Sequence, residues 1–184
     1  HLASHLGGKP EWREEILAFV PGEGLQKRIC AGAVNGVFGL AKVLADGYQA
    51  GSRAALDAGY KTTAGSLPKV QPRREEASVA LFQVPHEKPT ARAPKQFVDP
   101  QNDVTAAAIE LACREGFESI EHVKRYTALG FGTDQGKLGN INGLAIAARA
   151  QGKSIADTGT TMFRPNYTPV TFGAVAGRHC GHLF

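Results

Sequence analysis

Between Gly59 and Gln96 the chain places Pro68, Pro72, Pro85, Pro89 and Pro94 around the charged run Arg73-Arg74-Glu75-Glu76. Each proline fixes φ and removes a backbone N–H, so neither a long helix nor a central strand can run through this span. One stretch inside it, "SVALFQV" at 78–84, has the composition of a short strand. A connection of this length separates compact parts. It divides the chain into residues 1–60, a linker over 61–96, a helical unit over 97–158 and an arm over 159–184.

Each part then follows from its pattern. "ILAFV" (16–20) and "RICAG" (28–32) read as strands separated by the turn-rich "PGEG". From Asn35 to about Ala58, Val37, Leu40, Leu44, Tyr48, Gly51 and Ala55 recur every three or four residues, which predicts a helix with one apolar face. Gly39, Gly47 and Gly51 each weaken such a helix by about 1 kcal/mol relative to Ala. Close approach of a neighbouring backbone or ligand is the expected reason for them.

Beyond Asp103 the period is helical throughout. Thr105 is placed to cap a helix with Val104, Ala108, Leu111 and Ala112 on one face, ended by Gly116. Ser119 caps a second, carrying Ile120, Val123 and Thr127 inward, with Glu121 in the first turn where the dipole favours an anion. A third starts near Asn140, turns Ile141, Leu144, Ala145 and Ala148 inward, and stops at Gly152. "KSIAD" offers one more turn, and "TTMFRPNYTPVTFGAVAG" (160–177) reads as an extended arm followed by a short helix.

Composition excludes several classes. Lys and Arg are scattered, net charge is +4, and no basic stripe interleaves with aromatics, so nucleic acid is not an expected partner. No apolar run reaches the roughly 18–20 residues of a membrane span. Cys30, Cys113 and Cys180 lie far apart without disulfide or metal spacing, and a reducing, cytoplasmic compartment is expected. "RHCGH" (178–182) offers His179, Cys180 and His182, but no fourth ligand. The chain opens on His1 and closes on "GRHCGHLF", which suits a piece of a longer polypeptide. No Ser/His/Asp or paired-carboxylate arrangement points to hydrolysis.

Two loops invite a phosphate. In "RICAGAVNGVFGLAKVLADGYQAG" a strand ends at Ala31-Gly32 and a glycine-dotted helix begins, so Gly32, Ala33, Asn35 and Gly36 stand where a helix N-terminus meets anions. A tightly packed corner without ligand has the same signature, and Gly32, Gly36 and Gly39 do not make Gly-x-Gly-x-x-Gly. In "GFGTDQGKLG" (130–139), Thr133, Gln135, Gly136 and Lys137 precede a helix and can present N–H groups and one ammonium to a phosphate. It is not a Walker A loop, since Phe131 and Leu138 occupy the Gly and Ser/Thr places. The alternative is a loop closed on itself by hydrogen bonds of Asp134 and Lys137.

These stretches resemble known families. The first is similar to the last motif of the flavoproteins with two dinucleotide-binding domains, where "AGD" precedes a small-residue helix; Ala31-Gly32-Ala33 stands in its place. That resemblance makes residues 1–60 the C-terminal part of a dinucleotide-binding domain. The missing Asp argues against ordinary FAD binding and leaves another dinucleotide open. Residues 97–158 are similar to the small helical two-iron–two-sulfur domain of the bacterioferritin-associated ferredoxin type. The four cysteine places of that domain hold Asp99, Gln101, Asp134 and Gly139, so no thiolate remains to bind a cluster. The fold expected is therefore α+β, strands and a helix of a dinucleotide domain followed by a cluster-less helical domain.

In this order, with "HVKRYTALGFGTDQGKLGNINGLAIAA", "TTMFRPNYTPVTFGAVAGR", "VNGVFGLAKVLADGYQAG" and "FVDPQNDVT", the chain resembles the family of heterotetrameric sarcosine oxidase α subunits. Opine oxidase and proline dehydrogenase α subunits share the layout but often keep the cysteines. The resemblance implies oxidation of the sarcosine methyl group by O2 to give glycine, peroxide and a one-carbon unit for tetrahydrofolate. It implies NAD on this subunit, FMN at the interface with the β subunit, FAD on β, and β, γ and δ subunits as partners. Gly32, Ala33, Asn35 and Gly36 would then face NAD, and Thr133, Gln135, Gly136 and Lys137 the FMN phosphate. No catalytic residue is expected on this segment, which alone would not turn over. A non-catalytic assembly module is the competing reading.

Overall fold

A computed structural model describes residues 2–5, 7–63, 65–71, 73, 78–162, 164 and 170–183. In chain order the elements are α1 (Leu2–His5), β1 (Pro10–Arg13), β2 (Ala18–Pro21), α2 (Leu40–Asp57), β3 (Phe97–Asp99), β4 (Val104–Thr105), α3 (Ala106–Arg114), α4 (Ile120–Thr127), α5 (Asn140–Gln151), α6 (Ile155–Thr158) and α7 (Phe172–Ala176). The class is mixed α+β, as expected. No described helix is long and apolar enough to cross a membrane.

β1 and β2 form an antiparallel hairpin with Trp12 opposite Phe19 and Glu11 opposite Val20. A 3₁₀ turn, Glu14–Ile16, joins them, and Leu17 closes it in the left-handed region at φ 49°. The Trp12 and Phe19 rings lie 5.0 Å apart, a cross-strand aromatic pair. Val20 is buried, and Phe19 packs against the core of the helical unit.

Two expected strands are absent. Residues 28–31 are irregular, and Gly32–Asn35 form a 3₁₀ turn. Residues 78–84 are irregular too, with Val79, Leu81 and Val84 exposed. A strand needs a neighbour for its backbone donors and acceptors, and neither stretch has a described one. Within 78–84 a side chain makes the contacts instead: Gln83 donates to the Gln96 amide oxygen at 2.5 Å and to Thr90 at 3.3 Å.

The first long helix starts at Leu40, five residues later than the pattern suggests. Gly36 and Gly39 hold φ at 76° and 81°, a conformation no helix tolerates, and they separate the 3₁₀ turn from α2. The 18 residues of α2 include none that is buried, and Leu40, Tyr48 and Leu56 are exposed. A Cβ added at Gly47 or Gly51 would meet nothing within 4 Å, so close approach within this chain does not account for either glycine. Lys27 and Arg53 bridge to Asp57 at 3.0 and 3.3 Å and fasten the end of α2 to the preceding loop. The hydrogen bond from Lys27 leads in holding the Asp57 carboxyl below its ordinary pKa.

The core lies in the helical unit, where Val104, Ile109, Ala112, Ile120, Val123, Leu129, Leu144 and Ile146 pack together. α3 buries Ala106, Ile109 and Ala112; the expected Ala108 and Leu111 are only half-buried. α5 buries every residue from Gly143 to Ala148, so it is enclosed on all sides instead of showing one apolar stripe. Leu129 crosses over it so closely that a Cβ at Gly143 would sit 2.5 Å from the Leu129 Cδ2. Burying Ile109, Leu129 and Ile146 contributes about 1.5–3 kcal/mol each.

Caps fall largely where the residue types place them. Thr105 Oγ1 accepts from the Ala108 N–H at 3.2 Å. Gly152 ends α5 at φ 64°, and Ser154 caps α6. Ser119 occupies the N-cap of α4 without making the capping bond. Of the expected arm and short helix over 160–177, α7 is present, while Phe163 and residues 165–169 lie outside the described residues.

Candidate functional site

The glycine loop 130–139 is a knot tied around three polar side chains. β3 ends in Asp99, which is 6% exposed. Its carboxylate accepts from the buried Gly130 N–H at 2.8 Å, from the Gln101 N–H at 3.0 Å and from Asn102 Nδ2 at 3.1 Å. Gln101 Oε1 accepts from the Thr133 N–H at 2.8 Å and from its hydroxyl at 3.2 Å. Asn140, the first residue of α5, points its amide back into the loop and donates to the Thr161 hydroxyl at 2.9 Å.

This arrangement explains the glycines. A Cβ at Gly130 would stand 2.5 Å from the Asn140 Oδ1, and one at Gly136 would strike the same amide. A Cβ at Gly139 would strike the Val98 carbonyl oxygen. Gly130 and Gly136 also hold φ at 72° and 78°, and Gln135 holds 52°, which bends the chain sharply at 135–136. The glycines make room for Asn140 and the β3 backbone.

Asp99, Gln101, Asp134 and Gly139 meet at this corner. Asp99 and Gln101 bind the loop across more than thirty residues of sequence. Asp134 accepts from the Leu138 N–H at 3.1 Å, and Gly139 lies on Val98. Oxygen acceptors and backbone N–H donors thus hold this corner.

Of the residues expected to meet a flavin phosphate, Lys137 is exposed, and its Nζ donates to the Arg164 carbonyl at 2.6 Å. Thr133 is spent on Gln101, Gln135 Nε2 donates to the Gly132 carbonyl at 2.9 Å, and Gly136 is buried beneath Asn140. An ammonium has three donors and Lys137 uses one here, so it retains capacity for an anion. Asp134 closes the loop on itself through the Leu138 N–H, whereas Lys137 reaches out of the loop to the arm.

The second expected site lies apart from the first. The Gly32 N–H donates to Asp46 Oδ2 of α2 at 2.7 Å. Gly36 faces the hairpin, where a Cβ would come 2.8 Å from Ile16 Cδ1. Ala33 is exposed. Asn35 lines a cleft of about 390 Å³ together with Lys27, Arg28 and Cys30. Glu23 also lines this cleft, Lys27 is paired with Asp57, and Arg28 Nη2 donates to the Gly22 carbonyl.

Sequence reasoning did not foresee the part played by Asn140, which it took only as a helix start. The signal was the pairing of glycines at 130 and 136 with a polar first residue of the next helix. It also treated Lys124 as unremarkable, although that residue is 9% exposed and holds its ammonium 5.7 Å from the Phe131 ring centroid. Tyr126 is half-exposed and its ring lies tilted against Phe117, the centroids 4.7 Å apart. The side chains of Cys180 and His182 lie outside the described residues.

Residues 93–178 match the family model described as the sarcosine oxidase A3 domain. Along its whole length the chain is 43% identical to the sarcosine oxidase subunit alpha of Rhizobium meliloti (strain 1021). It is 37% identical to the sarcosine oxidase subunits alpha of Corynebacterium sp. strains P-1 and U-96, again over all of the chain. The chain spans 18–19% of the length of these relatives.

Proposed function

We propose, from the premise that this chain is homologous along its whole length to sarcosine oxidase α subunits, that it serves a multi-subunit amine oxidase of that kind. The observation that carries this reading is full-chain identity of 37–43% to proteins named for that activity. The assembly would oxidise the methyl group of sarcosine with O2 and yield glycine, peroxide and a one-carbon unit for tetrahydrofolate. Amine oxidation would take place at FAD on a β subunit, with γ and δ subunits completing the assembly. No residue of this segment is assigned to the chemical step.

The segment's own task is to hold cofactors at their charged ends. On this reading Asn35, with Lys27 and Arg28 near it, would meet the pyrophosphate of NAD, while Gly32 and Gly36 shape the corner and Ala33 leaves it open. Lys137 would neutralise an FMN phosphate at the subunit interface, with Thr133, Gln135 and Gly136 setting the turn that presents it. FMN when bound supplies electron transfer; the chain supplies charge and position. Asp99, Gln101 and Asn140 keep the loop in shape.

The test is flavin content. The complete α subunit is co-expressed with its partner subunits, with and without Lys137→Ala, and non-β flavin is quantified after purification. A loss of FMN with FAD retained is the expected result; unchanged FMN removes Lys137 from the flavin site. A purely structural role has its own support in the exposed apolar residues of α2 and of 79–84. On that second reading both flavins survive the substitution, and only the assembly weakens when Leu40 or Leu56 is made polar.

A further inference from the structure

The proline-rich stretch 82–96 is tied to the helical unit around one ion pair. Glu110 of α3 and Arg149 of α5 meet at 2.9 Å. The Thr90 hydroxyl donates to the same Glu110 oxygen at 2.8 Å, and Arg149 Nη2 also donates to the Gln83 amide oxygen. Gln83 Nε2 donates to the Thr90 hydroxyl and to the Gln96 amide oxygen, and Gln96 Nε2 donates to the Val84 carbonyl at 2.8 Å. The stretch thus donates to the anion and accepts from the cation. Bonds to charged groups are about twice as strong as neutral ones.

The apolar side chains hold it less firmly. Phe82 is half-buried, whereas Leu81 and Val84 are 65% and 66% exposed. Two clefts, of about 480 and 630 Å³, are each lined by Leu81, Phe82 and Gln83 and by Ile146 of α5. Space therefore remains between the stretch and the α5 wall. Opening would strand no charge, because Glu110 and Arg149 belong to helices and keep each other. Pro85, Pro89 and Pro94 fix φ at three positions, and the Arg92 and Ala93 N–H groups bond to the Pro89 carbonyl at 2.8 and 3.0 Å. These restraints stiffen the stretch against piecemeal fraying.

We propose that residues 82–93 are a strap, latched by Gln83 and Thr90 onto the Glu110–Arg149 pair, which opens as a unit and uncovers the apolar side of α5 around Ile146. Its hinge is Pro94-Lys95, because beyond it the Gln96 carbonyl is held by the Ala106 N–H at 2.9 Å. The inference is independent of the cofactor reading: none of its residues belongs to either expected cofactor site, and its readout needs no flavin and no partner subunit.

The experiment is limited digestion of the full chain with trypsin, followed by mass spectrometry. Arg92 is a cleavage site within the strap, and cleavage there tracks the open population when opening is fast relative to cutting. Lys124, 9% exposed in α4, reports opening of the core. Thr90→Val and Gln83→Ala remove the latch from the strap side and leave the ion pair intact. Each is expected to speed cleavage after Arg92 about tenfold, with cleavage after Lys124 and the urea midpoint of the helices unchanged. Both variants are also expected to raise the fluorescence of an apolar-surface dye. Wild-type cleavage after Arg92 as fast as in a free peptide of residues 86–97 would mean that the strap does not close. Unchanged cleavage in both variants would mean that the latch does not hold it. Equal acceleration after Lys124 would make the opening global, and unchanged dye binding with faster cleavage would remove the uncovered α5 surface. Each of these four results overturns the inference.

Discussion

Asp99 is the residue on which the loop corner depends, and its replacement gives the sharpest test of the structural argument. In Asp99→Ala three donors lose their acceptor: the N–H groups of Gly130 and Gln101, and Asn102 Nδ2. Gly130 is buried, so its N–H stays unsatisfied, at a cost of about 1–3 kcal/mol. Gln101 is exposed and Asn102 half-exposed, so their groups can be rehydrated and lose only about 0.5–1.5 kcal/mol each. The expected loss is roughly 2–6 kcal/mol. Asp99→Asn keeps the shape and one acceptor oxygen but turns an NH₂ toward N–H donors, so an intermediate loss is expected. Urea unfolding followed by circular dichroism reads both. With a slope of about 1–3 kcal/mol per molar urea, the Ala variant should move the midpoint by about 1 M or more. A shift of the Ala variant below about 0.5 kcal/mol, the range of an ordinary surface change, would refute the claim that Asp99 holds the loop.

Other outcomes follow from the same coordinates. Gly143→Ala should destabilise by about 1–3 kcal/mol through collision with Leu129, whereas Gly47→Ala and Gly51→Ala should each stabilise the chain by up to about 1 kcal/mol, all read from urea midpoints. Thr105→Ala should cost about 1 kcal/mol by loss of the cap on α3, and Ser119→Ala only a few tenths, because Ser119 makes no capping bond. The Tyr126 hydroxyl, held by a hydrogen bond to Glu115, should titrate above the usual tyrosine value in an ultraviolet phenolate titration, and Glu115→Gln should lower it. Since the folded pKa is the higher, this bond's contribution to stability is complete below about pH 10 and is lost as pH rises through the folded value.

The helical unit was legible because its signals are local. Thr105, Gly116 and Gly152 are start and stop residues whose geometry depends on a few neighbours, and each lies at the expected terminus. The strands were less legible because pairing is not local. "RICAG" and "SVALFQV" have strand composition, but a strand is an interaction between two segments, and neither finds a described partner here. The start of α2 was misplaced for a third reason. Periodicity sees side chains, while Gly36 and Gly39 act through φ, and a single left-handed residue ends a helix whatever pattern surrounds it.

The same distinction governs the loop. Glycines, a lysine and a following helix are what a phosphate loop and a tightly packed turn have in common, so spacing alone could not separate them. The separating facts are pairwise and distant: Asn140 against Gly130 and Gly136, Asp99 on Gly130, Gln101 on Thr133. They place the glycine requirement inside the protein, where it serves packing, and leave the charge requirement to be met outside the turn. Lys137 carries that charge on the exposed side of the turn, steadied by its bond to the Arg164 carbonyl. A corner held by carboxylate, carboxamide and N–H groups is rigid through its own side chains, and a rigid turn is what keeps an exposed ammonium such as Lys137 in one place.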